Sequence, residues 1–192
     1  MSSRRLGAAA ALAVLLLDQA SKVWAVGALD QETHPAIRLL PFLDLVLARN
    51  HGISYSLFRA EGLTGRLVLI GVALAALVVI AVWIWRTRSA LSALGLGLVA
   101  GGAAGNVIDR IRTGAVIDFL YFHTPIFLGP LSNYVFNIAD AGIFVGVCVL
   151  LYESIMAGRS TDDGSKTGEV PTIRRDGGAS QTGKERVGRG NP

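Results

Sequence analysis

The chain contains four long, almost continuously apolar stretches, separated by segments in which polar and apolar residues are mixed. A helix of about 20 apolar residues is long enough to cross the hydrocarbon core of a bilayer. The pattern therefore predicts an integral membrane protein, mainly α, with four transmembrane helices over residues of about 6–28, 67–85, 90–108 and 134–153. The connecting loops 29–66 and 112–133 would then lie on the same side of the membrane.

The first apolar stretch also has features of a secretory signal peptide, because Arg4 and Arg5 precede the twelve largely apolar residues 6–17. The residues that follow, 18–22, make a poor cleavage region, and residues 23–26 resume the apolar pattern. We therefore interpret the stretch as a spanning helix rather than as a cleaved leader.

The first loop contains short patterns typical of extended structure. Leucines alternate with other residues between 37 and 48, which predicts a short strand or two. Residues 50–52, Asn-His-Gly, are a turn signal, and residues 53–58 are expected to return as a second strand. The segment is either a plain hairpin or a flap over a substrate site. The second loop, 112–133, is expected to lie against the bilayer surface.

Polar and ionisable residues interrupt the apolar stretches or follow their ends, namely Asp18, Lys22, Asn106, Asp109, Arg110, Asp118, Asn137 and Asp140. Ionisable side chains at membrane depth cost a few kcal/mol each, so we expect them to have a function. Asp18 and Lys22 are four residues apart and share one helix face, so they can pair. The alternative is an interfacial ion pair that only anchors the end of the helix.

The positive charges predict the orientation of the chain. The amino terminus, the 86–88 connection and the tail hold eleven Lys and Arg residues, whereas the rest of the chain holds seven. Under the positive-inside rule both termini are then cytoplasmic. That orientation brings polar residues from four separate stretches to the outer side: Asp18, Asn50, Asp109, Asp118 and Asp140.

Composition excludes several other classes of protein and site. Of 192 residues, 52% are hydrophobic, and the net charge of +4 falls on termini and a connection, which favours membrane orientation over nucleic-acid binding. One cysteine allows neither an internal disulfide nor a multi-cysteine metal site. We expect no metal and no cofactor. Residues 157–192 are rich in Gly, Ser, Thr and charge, which predicts a disordered basic cytoplasmic tail after a membrane domain over 1–156.

The carboxylates suggest acid–base chemistry. Two carboxylates close together cannot both ionise cheaply, so one holds a proton while the other acts as a base, as in aspartic proteases. Asp109 lies beside Arg110 and three residues after Asn106, so we expect its charge to be compensated already. We therefore predict that Asp118 and Asp140 form the pair. The alternatives are a proton or ion transporter and a scaffold in which these residues only pack.

Five short motifs carry a family resemblance: Asp18-x-x-Ser21-Lys22, Arg49-Asn50-x-Gly52, Gly101-Gly102-Ala103-x-Gly105-Asn106-x-x-Asp109-Arg110, Val116-Ile117-Asp118-Phe119 and Phe136-Asn137-Ile138-Ala139-Asp140. In this order, on a four-span profile, they resemble the lipoprotein signal peptidase (signal peptidase II) family of bacterial aspartyl proteases. The resemblance covers about residues 12–153.

The resemblance implies an enzyme of the bacterial cytoplasmic membrane, with its site and a small extramembrane β-cradle at the outer face. It implies a diacylglyceryl-modified prolipoprotein as substrate, cut just before the lipidated cysteine, with no metal and with inhibition by globomycin. The family's two catalytic aspartates match Asp118 and Asp140. Its substrate-contacting or supporting positions match Asp18, Lys22, Asn50, Gly52, Asn106, Asp109, Arg110 and Asn137.

Two features depart from the family pattern. Ile53, Ser54 and Tyr55 follow Gly52, where the family usually has small residues and then Phe or Trp. The long basic tail is not part of the family core. We expect a monomer that contacts membrane lipids and binds no nucleic acid.

Overall fold

The structure, a computed structural model, describes residues 2–29, 36–52, 62–124 and 133–165, with side chains to residue 157. The elements in chain order are α1 (Ser3–Ala28), β1 (Ile37–Leu40), β2 (Leu43–Asn50), α2 (Gly62–Arg86), α3 (Ala90–Thr113), β3 (Val116–His123), β4 (Asn133–Phe136) and α4 (Ile138–Ser165). The chain divides into two compact units, Met1–Ala157 and Gly158–Pro192, and only the end of α4 is described in the second.

Within the described ranges, four helices are long and apolar enough to span a membrane, and their apolar surfaces fit that environment. None of the residues of α2, all of which the structure describes, is buried within the protein. Leu67, Val72 and Trp85 on this helix are more than half exposed. Such a surface would be unusual in water, but hydrocarbon chains can cover it at no cost.

Helix α3 is the most enclosed of the four helices, because its glycines let neighbouring backbones approach closely. An ideal Cβ on Gly97 or Gly101 would overlap backbone oxygens of α1, and one on Gly102 would overlap the Ala139 oxygen of α4. Small residues at such positions favour packing between membrane helices. A left-handed Gly114, at φ 83°, then ends α3 and turns the chain into β3.

The four strands form one antiparallel sheet in the order β1-β2-β3-β4. Ala48 of β2 is opposite Asp118 of β3, and Leu120 of β3 is opposite Phe136 of β4. Under the sheet, a small core joins the end of α1 to the strands through Ala25, Leu29, Leu45 and Phe119. Strand pairing therefore positions Asp118, and the adjacent Phe119 anchors β3 in this core.

The structure corrects several predicted boundaries. Strand β3 lies in the loop 112–133, which was expected to rest on the bilayer surface, because it pairs with β2 on one side and with β4 on the other. The fourth helix begins at Ile138 rather than at residue 134, since residues 133–136 are held in β4. The strand expected over 53–58 lies outside the described residues.

The end of α4 also differs from the prediction. Residues 157–165, assigned to a disordered tail, continue the helix to Ser165. Extending an existing helix requires no new nucleus, and the first proline of this segment is Pro171. The remainder of the predicted tail, 166–192, lies outside the described residues.

Gly101→Ala tests the close packing of α1 on α3. The added Cβ would meet the Ala11 oxygen and the Val14 Cβ, so we expect it to lower the free energy of unfolding by about 1–3 kcal/mol. The matched control is Gly71→Ala on α2, where the ideal Cβ has no described atom within 4 Å of it. Helix propensity alone should make that control neutral or slightly stabilising. Unfolding midpoints in detergent micelles measure both, and equal midpoints for the two variants would contradict this account.

Candidate active site

Four elements bring polar side chains to one small cavity at the junction of the sheet and the helices. The cavity has a volume of about 100 Å³ and is lined by Asn50, Gly52, Asn106, Arg110, Val116, Asp118 and Asp140. The structure thus brings Asp118 of β3 and Asp140 of α4 to the same space. Strand β2 contributes Asn50 at its end, and helix α3 contributes Asn106 and Arg110 from its last turns.

Asp118 is almost completely buried, and two asparagine amides hold its carboxylate. Asn137 donates to Oδ1 at 2.6 Å, and Asn50 donates to Oδ2 at 3.2 Å. Burial, together with the nearby charge of Asp140, raises the pKa of Asp118 to about 7. The hydrogen bonds from Asn50 and Asn137 and the charge of Lys22 oppose that rise only in part. Near neutral pH the protonated and the ionised forms of Asp118 are therefore both populated.

Asp140 lies in the first turn of α4 and has a different environment. Its backbone N–H donates to Asn137 Oδ1 at 2.9 Å, so Asn137 caps the helix with its oxygen while its Nδ2 binds Asp118. Asn106 donates to the Asp140 carboxylate at 3.0 Å. The amino end of α4 and the Asn106 amide favour the ionised form of this carboxyl group, whereas its burial opposes ionisation.

A buried ion cluster lies behind the cavity. The Lys22 ammonium is 2.8 Å from the Asp18 carboxylate and 2.7 Å from the Asp109 carboxylate. Lys22 also donates to Asn106 Oδ1 at 3.1 Å. The pair predicted between Asp18 and Lys22 therefore forms, but at 0% and 2% exposure it is part of the interior rather than an interfacial anchor.

The structure corrects the predicted partner of Asp109. Its carboxylate binds Lys22 of α1 rather than the adjacent Arg110, because neighbouring residues on a helix project from different faces. Arg110 instead donates to the Gly52 oxygen at 3.1 Å and to the Asn106 oxygen at 3.3 Å. It thus ties the loop after β2 to α3 at the edge of the cavity.

Sequence reasoning missed two sets of polar contacts. Gln19 Nε2 binds both carboxylates of the ion cluster, at 3.2 Å from Asp18 and 3.1 Å from Asp109. The sequence does contain a signal for Gln19, because this residue lies between Asp18 and Lys22 in the polar interruption of the first span. At the other end of the bundle, Ser89 and Ser92 donate to the Glu153 carboxylate, which ties α3 to α4. Within the described ranges no group of three or more His, Cys, Asp or Glu side chains is arranged to hold a metal ion.

Comparisons with known proteins agree on one family. The family model described as signal peptidase (SPase) II matches residues 10–156 of the chain. The lipoprotein signal peptidase of Beijerinckia indica subsp. indica is 49% identical over 154 residues, covering 80% of this chain and 90% of that protein. The lipoprotein signal peptidase of Nitrobacter hamburgensis is 46% identical over 156 residues, covering 81% of this chain and 95% of that protein.

Solved structures show the same fold. Two structures of bacterial membrane enzymes, obtained by the in meso method at 2.3 and 1.9 Å resolution, match with TM-scores of 0.67 and 0.64. They are 22% and 24% identical to this chain, and they cover 86% and 77% of it and 94% and 90% of their own chains. The predicted fold class, four membrane-spanning helices with a small antiparallel sheet, is confirmed.

Lys22→Met tests the ion cluster. Removing the ammonium leaves two buried carboxylates uncompensated, so we expect the free energy of unfolding to fall by about 3–5 kcal/mol. The triple variant Lys22→Met, Asp18→Asn, Asp109→Asn removes the charges together and should recover much of that loss. Unfolding midpoints in micelles measure both variants. If Lys22→Met is as stable as the wild type, the cluster does not hold the helices together.

The pKa of Asp118 predicts a pH dependence of stability. Because folding raises that pKa from 3.8 to about 7, the folded protein keeps a proton that the unfolded chain releases. The free energy of unfolding should therefore fall as the pH rises from about 4 to about 7, with the full destabilisation present above pH 7. Asp118→Asn should remove this part of the slope and raise the unfolding midpoint at about pH 8. Midpoints measured across the range check it, and an unchanged slope in the variant would be incompatible with this explanation.

Proposed function

The chain belongs to the signal peptidase II family, and on that premise we propose that it is an aspartic endopeptidase of the membrane. Its substrate would be a diacylglyceryl-modified prolipoprotein, and it would cut just before the lipid-bearing cysteine. The observation that carries this proposal is that Asp118 and Asp140 line one cavity, each held by an asparagine amide.

The environments of the two aspartates suggest separate roles. Asp118, with its pKa raised to about 7, holds the proton and donates it to the oxygen of the scissile carbonyl. Asp140, at the amino end of α4, is ionised and takes a proton from the attacking water. The two titrations belong to the pair, so a pH–rate profile reports macroscopic values for both groups together.

The steps balance without any further reactant. Water adds to the carbonyl carbon, its proton passes to Asp140, and the proton of Asp118 passes to the carbonyl oxygen. When the tetrahedral intermediate collapses, the carbon–nitrogen bond breaks and Asp140 returns its proton to the leaving nitrogen. Asp118 recovers a proton from a hydroxyl of the intermediate, which regenerates the starting state.

Arg110 is the group best suited to assist at the developing oxyanion. A guanidinium carries five N–H donors, and the Gly52 and Asn106 oxygens accept from two of its nitrogens. Since Arg110 also lines the cavity, we assign it the role of binding the substrate carbonyl near the two aspartates.

The order of the elements supports the proposed orientation. The strands lie between α1 and α2 and between α3 and α4, so in a chain that crosses the membrane four times the start of α1 and the end of the fourth span, at Ala157, lie on the opposite side from the sheet. The distribution of Lys and Arg favours cytoplasmic termini. We therefore place the site at the outer face of the cytoplasmic membrane, where the diacylglyceryl group would remain in the lipid.

Asp118→Asn and Asp140→Asn test the proposal in purified protein supplied with a diacylglyceryl-modified precursor. Each substitution should reduce turnover by about 10²–10⁴-fold, because it removes either the proton donor or the proton acceptor of the reaction. The matched control is Asp44→Asn, a carboxylate of β2 that is not among the residues lining the cavity, and it should cleave normally. Gel mobility of the precursor measures cleavage, and circular dichroism confirms folding. Normal cleavage by either folded cavity variant would refute the two-aspartate assignment.

A further inference from the structure

Gln19 makes a set of contacts that the proposed mechanism does not use. Its Nε2 lies 3.2 Å from Asp18 Oδ2, 3.1 Å from Asp109 Oδ1 and 3.3 Å from the Gly105 oxygen. It therefore bridges α1 and α3 at the ion cluster. Gln19 is half-buried, in the wall of a second cavity of about 210 Å³ formed by α1, α3 and β3.

The two carboxylates that Gln19 binds are hydrogen-bonded to the backbone next to the two cavity aspartates. Asp18 Oδ1 accepts from the backbone N–H of Ala139 at 2.9 Å, and Ala139 is the residue before Asp140. Asp109 Oδ2 accepts from the backbone N–H of Ile117 at 3.2 Å, and Ile117 is the residue before Asp118. A shift of either carboxylate would thus move the backbone next to one member of the pair.

Charge balance explains why a neutral donor is needed between these carboxylates. Lys22 carries one positive charge but contacts two carboxylates, so the buried group retains one net negative charge when all three are ionised. The carboxylates repel each other, and repulsion is strong where water is excluded. The Gln19 amide supplies N–H donors to both and adds no charge.

We propose that Gln19 is a positioning residue for the reaction: by binding Asp18 and Asp109 together, it fixes the spacing between Asp118 and Asp140. This inference rests on the proposed function of those two aspartates. Gln19 does not line the cavity that contains them, so it acts through the two carboxylates and their backbone partners rather than on the substrate.

Gln19→Leu and Gln19→Glu test this role by kcat, KM and pH profile on a diacylglyceryl-modified precursor. Gln19→Leu keeps the size but removes the donors, and we expect kcat to fall by about 10- to 10²-fold with KM unchanged, because small misplacements of reacting groups act on the chemical step. The control is Val23→Ala, which shortens an exposed side chain in the wall of the second cavity and should keep the wild-type kcat.

Gln19→Glu gives a readout that lost packing alone would not produce. The new carboxyl would face Asp18 and Lys22 from its own helix and Asp109 and Arg112 from α3, while β3 contributes the uncharged Ile117. When protonated, the carboxyl can donate one hydrogen bond; when ionised, it would add a third negative charge beside two others. We therefore expect kcat of this variant to approach the wild-type value at acid pH and to fall further below it as the pH rises.

The outcomes separate this inference from the proposed function. Asp118→Asn is assayed alongside, and cleavage by that variant would refute the two-aspartate mechanism whatever the Gln19 variants do. If Asp118→Asn is inactive while both Gln19 variants retain the wild-type kcat and pH profile, the positioning role is wrong. Loss of folding in both Gln19 variants at every pH would assign Gln19 to stability alone, which also overturns the inference.

Discussion

The sharing of one buried ammonium by two carboxylates is the interaction on which the rest of this structure depends. Lys22 holds Asp18 on its own helix and Asp109 on α3, away from water. Buried charges need partners, so the helices that carry them are restricted to arrangements in which all three meet. Both carboxylates also accept a hydrogen bond from the backbone N–H of the residue before a cavity aspartate: Asp18 through its other oxygen, and Asp109 through the oxygen that contacts Lys22. One cluster thus links the helix bundle to both halves of the candidate site.

That cluster requires an unusually close approach of helices, which glycine allows. A Cβ at Gly105 would overlap the Asp18 carboxylate, while Gly101 and Gly102 admit the backbones of α1 and α4. The glycines of α3 therefore make room for the charges as well as for the neighbouring backbones. In a membrane, where hydrophobic burial does not drive helices together, close packing and satisfied polar groups must supply the attraction.

The two cavity aspartates differ because different kinds of element present them. Asp118 lies on a strand between paired neighbours and is buried, whereas Asp140 lies in the first turn of a helix. Asn137 joins the two sites, since its side-chain oxygen accepts from the backbone N–H of Asp140 and its side-chain nitrogen donates to Asp118. Two chemically identical side chains therefore lie in different surroundings within one cavity. Such a difference is what a reaction needing both an acid and a base requires.

The sequence alone determined the features that depend on local pattern. Continuous apolar runs specify spanning helices, and the polar residues that interrupt or follow them, Asp118 and Asp140 among them, mark the region where chemistry is expected. Only the tertiary structure decided that residues 133–136 pair as a strand, that Lys22 is the partner of Asp109, and that Gln19 bridges two carboxylates. Strand pairing and ion pairing join residues far apart in the chain. Their energies depend on which surfaces meet, and hydropathy read along one segment carries no information about that.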